Sequence, residues 1–337
     1  MNKYFLLSII IVLSYTLQSQ KVELLTTHAK TSFRGMSVVN NSIVWVSGNN
    51  GTVGRSSNGG ETWTWFVIKG FENRDFRDIE AFSFTTAIIM AVAEPAILLK
   101  TTDAGKTWKV VYENKSPGMF LDAMEFWNEE SGIVLGDPVA GKFFISRTFD
   151  GGTTWRDLTK EKLPAADSGE ACFAASGTNI RKLNKREACF VSGGKKSRLF
   201  LKGKPIDLPI LQGRETTGAN SLAVRDASKK RSSTHIVIVG GDFALDSSVV
   251  KNCILTQNSG KTWIGPSNPP HGYRSCVEYI SRKRLVTCGT TGVDVSYDGG
   301  INWNLISKEG YHVVQKAKKG SAVFLAGGGG RIAKLVW

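Results

Sequence analysis

The chain has 337 residues, of which 41% are hydrophobic and 21% are charged, and its formal net charge is +14. This length and composition are sufficient for one large globular body with its own hydrophobic core. The basic balance favours acidic protein segments, anionic glycans or a membrane surface as partners.

The first 20 residues have the pattern of a secretory signal peptide. Lys3 supplies an early positive charge, an apolar run covers residues 5–13, and small and polar residues follow as far as Gln20. The apolar run is too short to span a bilayer. We therefore predict a signal peptide over residues 1–20 and a mature domain over 21–337 that is exported to the periplasm or secreted. An exported chain with no stable membrane span is not expected to bind nucleic acid.

Five copies of one motif, [ST]-x-[DN]-x-G-x-[TN]-W, recur after the N-terminal segment. An Asp or Asn at the third position can accept hydrogen bonds from backbone amides a few residues on and so hold a tight turn. The glycine takes the positive φ that such a turn requires, and the tryptophan opens the next strand with a large ring to bury. We predict a structural role for the third-position residues, which are Asn58, Asp103, Asp150, Asn258 and Asp298.

The spacing of the motifs indicates a repeat fold. The five tryptophans are separated by 45, 47, 108 and 40 residues, so the long gap hides one degenerate unit near Gly194–Leu201. Seven apolar strands that end at Gly- or Pro-containing turns give the same count. Short strands at this period are typical of β-propeller blades. We predict an all-β, seven-bladed propeller of four-stranded blades, closed by pairing Val22–Thr27 with the C-terminal strand, residues 330–337.

The motif resembles the Asp-box, or BNR, repeat of sialidases, sortilin-type receptors and photosystem II stability/assembly factors. In those families the box is a structural turn between the outer two strands of a blade. The whole mature chain resembles the photosystem II stability/assembly factor type of propeller carried by exported bacterial proteins. The resemblance implies a binding or assembly role. Relatives of this type are often labelled oxidoreductase, but no residue pattern here supports redox chemistry.

The starts of the inner strands and the ends of the second strands must lie on the face opposite the boxes, because antiparallel neighbours reverse direction. Aligned strand starts are Phe33-Arg34, Phe76-Arg77, Phe120-Leu121, Gly169-Glu170, Tyr273-Arg274 and Tyr311-His312. Arginines at these positions could grip a ligand carboxylate by paired hydrogen bonds. Alternatively, arginines and carboxylates form ion pairs between blades. The predicted ligand-binding residues are Arg34, Arg77, Arg274, Glu94, Asp137, Glu170 and Asp242.

The sequence leaves two main functions open. The first is a non-catalytic factor that holds an acidic or carboxylate-bearing protein segment, or a small acidic ligand, on this face. The second is a sialidase-like glycoside hydrolase that uses arginines and paired carboxylates such as Asp137 with Asp242 or Glu94. Against the second, sialidases have six blades, and Phe33-Arg34-Gly35-Met36 only partly matches their Phe-Arg-Ile-Pro motif. A scaffold without a pocket is a third possibility. We therefore expect a binding protein rather than an enzyme, with no catalytic residue assigned.

Cofactor signatures do not emerge from the sequence. The four histidines have no ligand spacing, so we predict no metal site, and no phosphate-binding or dinucleotide-binding loop is present in its required context. The five cysteines include no C-x-x-C pair. Cross-strand disulfides, Cys172 with Cys189 or Cys276 with Cys288, and free buried thiols both remain open. We expect a monomer without a cofactor.

Overall fold

The computed structural model describes residues 20–28, 30–227 and 231–337, so the predicted signal peptide lies outside the described residues except for Gln20. The described chain consists of 29 β-strands, β1 to β29 in chain order, and two three-residue 3₁₀ segments. No helix in this described part is long and apolar enough to cross a membrane. The architecture is therefore all-β, as the alternating apolar pattern predicts.

Three successive four-stranded antiparallel sheets form the first three blades. Blade 1 contains β2 (Phe33–Val38), β3 (Val44–Gly48), β4 (Thr52–Ser56) and β5 (Thr64–Val67). Blade 2 contains β6 (Phe76–Ala81), β7 (Ala87–Ala91), β8 (Ala96–Thr101) and β9 (Lys109–Asn114). Blade 3 contains β10 (Leu121–Phe126), β11 (Gly132–Val139), β12 (Lys142–Thr148) and β13 (Arg156–Asp157).

Blades 4 and 5 are less regular. In blade 4, the inner strand is split into β14 (Glu170–Ala171) and β15 (Ile180–Lys182), which pair with β17 (Gly193–Gly194) and β16 (Ala188–Val191). Its outer strands are β18 (Arg198–Leu201) and β19 (Lys204–Asp207). Blade 5 contains β20 (Thr217–Val224), β21 (Ile236–Asp242) and β22 (Cys253–Thr256). A single bridge between Leu255 and Ile264 replaces its fourth strand.

The last two blades complete the ring. Blade 6 contains β23 (Cys276–Tyr279), β24 (Leu285–Gly289), β25 (Gly292–Ser296) and β26 (Asn304–Ser307). Blade 7 contains β27 (Val313–Lys316), β28 (Val323–Ala326), β29 (Arg331–Val336) and, as its outer strand, β1 (Lys21–Thr27). The inner strands β2, β6, β10, β15, β20, β23 and β27 contact one another in this order, and β27 contacts β2. The predicted seven-bladed propeller is confirmed.

The two ends of the chain close the ring, as predicted. β1 runs antiparallel to β29 from Lys21 opposite Val336 to Thr27 opposite Arg331. The C-terminal strand therefore has a hydrogen-bonded neighbour on both sides, and no unpaired edge is left between the first and last blades. Apolar side chains from neighbouring blades form the core: Trp45 and Val53 of blade 1 pack with Ile79, Ile89 and Leu99 of blade 2.

Each Asp box is a turn that follows the third strand of its blade, and in blades 1, 2, 3 and 6 it leads into the fourth strand. In the second box, Asp103 Oδ1 accepts the amide of Thr107 at 2.9 Å and the hydroxyl of Thr101 at 2.9 Å, so the acceptor reaches four residues ahead. Gly105 has a φ of 87°, which favours glycine. In blade 4, which lacks a box, Lys202 and Gly203 have φ values of 53° and 74° and form a tight two-residue hairpin instead.

A segment of blade 4 crosses the central channel. Residues 172–179, which we call the plug, connect the two halves of the inner strand, and all of them are buried except Phe173. Ser176 Oγ donates to the carbonyl of Ser275 in blade 6 at 2.7 Å. Thr178 Oγ1 lies 2.6 Å from Ser221 Oγ in blade 5. Arg34 of blade 1 also donates to Ala175 O, so residues of blades 1, 5 and 6 all contact the plug, which lies among the inner strands.

All five cysteines are buried free thiols, which resolves the alternative left open by the sequence. Cys276 and Cys288 lie directly opposite each other on β23 and β24 without a disulfide between them. Cys172 lies in the plug and Cys189 in the second strand of blade 4, so these two do not pair across neighbouring strands.

Candidate functional site

Four of the inner strands carry a β-bulge at the same place, near the end of the channel where these strands begin. We call this end the upper face and the opposite one, which carries the Asp boxes, the box face. Between Phe33 and Gly35 the register of β2 on β3 shifts by one residue, so Arg34 is the extra residue. The equivalent extra residues are Arg77, Asp122 and Asn220. Bulges re-aim side chains next to functional sites, and here they place four polar residues at one level of the ring.

Two of the aligned strand starts are shifted by one residue relative to the sequence-based alignment. In blade 3, the residue equivalent to Arg34 and Arg77 is Asp122 rather than Leu121. In blade 6, Cys276 lies opposite Cys288, just as Asp78 lies opposite Met90 in blade 2. Ser275 is therefore the residue equivalent to Arg77, and Arg274 is the residue equivalent to Phe76. Phe76 and Arg274 are both fully buried. The predicted trio of equivalent arginines is thus a pair, Arg34 and Arg77.

The guanidinium group of Arg274 is enclosed within blade 6. Its Nε donates to Asp294 Oδ2 at 2.7 Å, Nη2 makes a shorter contact with the same oxygen, and Nη1 donates to Tyr273 O and Thr291 Oγ1 at 2.9 and 2.8 Å. Removing either partner would leave an uncompensated buried charge, so Arg274 and Asp294 belong to the framework of blade 6. The structure does not bring Arg274 to the surface with Arg34 and Arg77.

Arg34 and Arg77 lie close together beside the plug. Both are half-buried, and Arg34 Nη1 donates to Ala175 O over a long 3.5 Å. Arg77 Nε donates to Asp75 Oδ2 at 2.7 Å, and its guanidinium group lies 5.8 Å from the ring centre of Phe120. Among the residues that the structure describes, these contacts leave further N–H groups of both side chains available to an incoming ligand.

The electrostatics of this face are positive. Burial lowers the pKa of Arg34, and the neighbouring charge of Arg77 lowers it further. Burial, together with the charges of Arg34, Arg331 and Arg77, lowers the pKa of His312 to about 3, so its imidazole is neutral at pH 7. His312 Nε2 lies 3.1 Å from Ser32 Oγ. An anion bound here would relieve the repulsion between the two arginines.

Aromatic rings border the same region. The ring of Phe173 in the plug lies 5.8 Å from Phe243, and Phe243 lies 6.2 Å from Tyr273, in edge-to-face arrangements. Phe243 is 46% exposed, so an apolar surface adjoins the charged one. We call the combined surface of Arg34, Arg77, His312, Phe120, Phe173 and Phe243 the upper basin. It can bind a chain segment that combines a carboxylate with an apolar side chain.

The four predicted carboxylates lie on the upper face, but each has a local partner. Glu170 is buried against Arg198, whose Nε donates to Oε1 at 2.9 Å. Asp242 is buried with Arg214 Nη1 at 3.8 Å. Glu94 accepts the amide of Gly118 at 2.7 Å, and Asp137 accepts that of Cys172 at 2.7 Å. These residues therefore support the framework around the upper basin rather than lining it with Arg34 and Arg77.

A second cavity, of about 230 Å³, opens on the box face of the plug. Arg181 Nη2 donates to Glu278 Oε2 at 3.1 Å and its Nη1 lies 3.6 Å from Glu125, so one arginine links blades 3, 4 and 6. Lys318 Nζ bonds to Glu80 Oε1 at 2.7 Å. The ion pairs between blades that the sequence suggested as an alternative thus occur at this end of the channel. Because these charges neutralise one another, the cavity is a weaker anion site than the upper basin.

Sequence reasoning missed the residues of the box-face cavity and the plug. Glu80, Glu125 and Glu278 occupy the same position of three inner strands. The sequence-based alignment is shifted by one residue in blades 3 and 6, so extending it would have placed Met124 and Val277 beside Glu80 instead. The plug has no such signal, because its small and apolar residues read as an ordinary strand and turn.

Comparison with known proteins agrees with this architecture. A family model described as Photosynthesis system II assembly factor YCF48 matches residues 14–163. The chain is a propeller that resembles the photosystem II assembly factors. No curated protein sequence matches it.

Solved structures of YCF48 superpose on nearly the whole chain. YCF48 bound to D1 peptide gives a TM-score of 0.66 at 17% identity, over 96% of this chain and 96% of that chain. YCF48 from Cyanidioschyzon merolae gives a TM-score of 0.65 at 16% identity, over 94% of this chain and 98% of that chain. The Pan2 WD40 domain of Neurospora crassa gives a TM-score of 0.62 at 12% identity, over 95% of this chain and 96% of that chain. At these identities the similarity establishes the propeller fold.

Proposed function

We propose that this protein is a non-catalytic binding or assembly factor that holds an acidic or carboxylate-bearing segment of another protein in the upper basin. Arg34 and Arg77 bind the carboxylate, and the exposed ring of Phe243 contacts an adjoining apolar side chain. The two half-buried guanidinium groups, which act electrostatically on each other and keep unused donors, are the observation that carries this proposal.

Two further considerations support it. The chain has a formal net charge of +14, which attracts acidic partners over long range. One structural relative is YCF48 in complex with a D1 peptide, so a propeller of this shape can serve as a receptor for a protein segment. A binding role also agrees with the position of Asp242, one of the carboxylates considered for a glycosidase, which is buried beside Arg214.

The proposal is tested with fluorescein-labelled peptides that end in a free carboxylate, compared with the same peptides amidated at the C-terminus. We expect the free acids to bind more tightly. Charge-assisted hydrogen bonds contribute about 1.5–3 kcal/mol each, so Arg34→Gln and Arg77→Gln should weaken binding roughly 10- to 100-fold in fluorescence anisotropy. Arg156→Gln, which removes an exposed arginine from β13, is the control with the same net charge.

If Arg156→Gln and Arg77→Gln weaken peptide binding equally, the effect comes from net charge alone. That result would contradict specific binding in the upper basin. Chromogenic glycosides and sialyl substrates provide the test of the alternative function. Turnover that is abolished by Asp137→Asn would favour the sialidase-like enzyme instead.

We also propose that the protein functions outside the cytoplasm, because residues 1–20 have the charged, apolar and polar sections of a signal peptide. Fractionation of cells that express the full chain should place it in the periplasm or medium, with a new N-terminus near Gln20 or Lys21. Recovery of the uncleaved chain in the cytoplasm would contradict export.

A further inference from the structure

A buried group of three potential metal ligands lies next to the plug, outside the upper basin. Asp122 comes from the inner strand of blade 3, Asp137 from its second strand, and Cys172 is the first residue of the plug. One ligand atom from each residue lies within 4.8 Å of the other two. Asp122 and Cys172 are buried, and Asp137 is half-buried.

The carboxylate of Asp122 has no visible counterpart in the protein. Its side chain is fully buried, yet neither Oδ1 nor Oδ2 has a hydrogen-bond partner among the described residues. Buried polar groups in folded proteins are nearly always hydrogen-bonded, because an unpaired one loses its hydration without compensation. A carboxylate in this position therefore points to a missing partner.

We propose that Asp122, Asp137 and Cys172 bind one divalent metal ion, with Zn²⁺ as the best fit. The ligands of this site differ from the residues of the upper basin, although Arg77 acts on both. The expectation of no metal site was based on the histidines alone, and this donor set contains none.

The chemistry of the donors favours this assignment. Carboxylate oxygen and thiolate sulfur are both Zn²⁺ ligands, at about 2.0–2.2 Å and about 2.3 Å, whereas Mg²⁺ and Ca²⁺ take oxygen donors. A tetrahedral Zn²⁺ ion held by these three donors would have a fourth position for water. Arg77 lies close enough to act electrostatically on Asp122 and offsets the excess negative charge of two carboxylates and a thiolate.

The local geometry holds two of the donors in place before an ion arrives. Asp137 Oδ1 accepts the amide of Cys172 at 2.7 Å, which brings the plug to the carboxylate and leaves Oδ2 for the ion. The thiol of Cys172 makes one long contact, 3.7 Å to Val191 O, which it can give up on binding. Asp137, Pro138 and Glu170 line an open surface cavity, so solvent and ions can reach the half-buried carboxylate.

A bound ion would tie the plug to blade 3. Its three ligands belong to two strands of blade 3 and to the first residue of the plug, so the ion adds a cross-link at the point where the chain leaves blade 4 for the channel. We therefore expect metal binding to stabilise the folded chain.

The experiment uses Co²⁺ as a spectroscopic substitute for Zn²⁺ on the purified protein after treatment with chelator. The wild type should bind one equivalent of Co²⁺ and develop a thiolate-to-cobalt charge-transfer band in the near ultraviolet, which Zn²⁺ then displaces. Cys172→Ser and Asp122→Asn should lose the band at equimolar Co²⁺. Cys253→Ser, which removes a buried thiol from the blade 5–6 core, should keep it.

Thermal unfolding provides a second measurement. Zn²⁺ should raise the midpoint of the wild type and of Cys253→Ser, and leave that of Cys172→Ser unchanged. The proposal is overturned if the wild type shows no charge-transfer band, or if Cys172→Ser retains it, because either result removes the thiolate from the metal. The wild-type titration decides the question even if Asp122→Asn does not fold.

Discussion

The backbone of Gly177, in the plug, lies directly against the carboxyl group of Asp78 in the inner strand of blade 2. A β-carbon on Gly177 would overlap the carboxyl atoms of Asp78, and the φ of Gly177 is +65°. Asp78 Oδ2 in turn accepts the amide of Met124, in the inner strand of blade 3, at 2.7 Å. This contact joins the plug to two blades and makes the position specific for glycine.

Replacing Gly177 by alanine should therefore destabilise the protein. The added methyl group would clash with a carboxyl group that the amides of Ile79 and Met124 hold in place, and the positive φ adds strain. We therefore expect a loss of about 2–4 kcal/mol in the free energy of unfolding, measured in urea. Gly203→Ala is the matched control, because Gly203 has a φ of +74° but nothing within 4 Å of an added β-carbon. Gly203→Ala should lower the free energy of unfolding by about 1 kcal/mol. Equal costs for the two variants would contradict the clash.

Asp78 should make the stability depend on pH. Burial raises the pKa of Asp78 to about 8, so the folded protein retains a proton that the unfolded chain releases above about pH 4. The contribution of Asp78 to the free energy of unfolding therefore has its full value below about pH 4. It decreases as the pH rises toward 8, by up to about 1.4 kcal/mol per pH unit.

Urea unfolding at pH 5 and pH 8 tests this assignment. We expect Asp78→Asn to lose less stability than the wild type between the two pH values, because the amide does not titrate. Glu23→Gln, on the exposed face of β1, should retain the wild-type difference. If Asp78→Asn and the wild type change in parallel, the titrating group lies elsewhere.

The Asp boxes should tolerate Asn but not Ala at the third position. Asp103 accepts the amide and hydroxyl of Thr107, and Asn58 reproduces the geometry by accepting the amide of Thr62 and donating to its hydroxyl. Asp103→Asn should leave the melting temperature nearly unchanged, and Asp103→Ala should lower it by about 2 °C. Scanning calorimetry of both variants measures the two melting temperatures. An equal decrease in both would show that the negative charge of Asp103 matters rather than its acceptor oxygen.

The closure of the ring can be tested with two neighbouring leucines of β1. Leu25 packs on the core shared by blades 1 and 7 and contacts Gly60 of the first box, whereas Leu24 is 54% exposed. We expect Leu25→Ala to cost about 1–2 kcal/mol of unfolding free energy and Leu24→Ala less than about 0.5 kcal/mol. The reverse order in urea unfolding would mean that β1 pairs with β29 in a different register.

The sequence by itself determined the features that repeat. The five boxes and the regular strand-to-turn marks identify the blades because each box is a local turn whose hydrogen bonds span four residues. The end strands could be matched because an open edge must find a partner. These arguments need only short-range chemistry and the count of units, so they do not depend on side-chain placement.

Only the tertiary structure decided which side chains meet. The register of an inner strand leaves no mark in the sequence, so Arg274 falls at the buried position of Phe76. Arg34 and Arg77, the extra residues of two β-bulges, remain at the upper basin. The plug brings Cys172 to Asp122 and Asp137 although the three belong to separate segments. Such contacts depend on how strands register and where a chain leaves its sheet, and both are settled by packing across the whole ring.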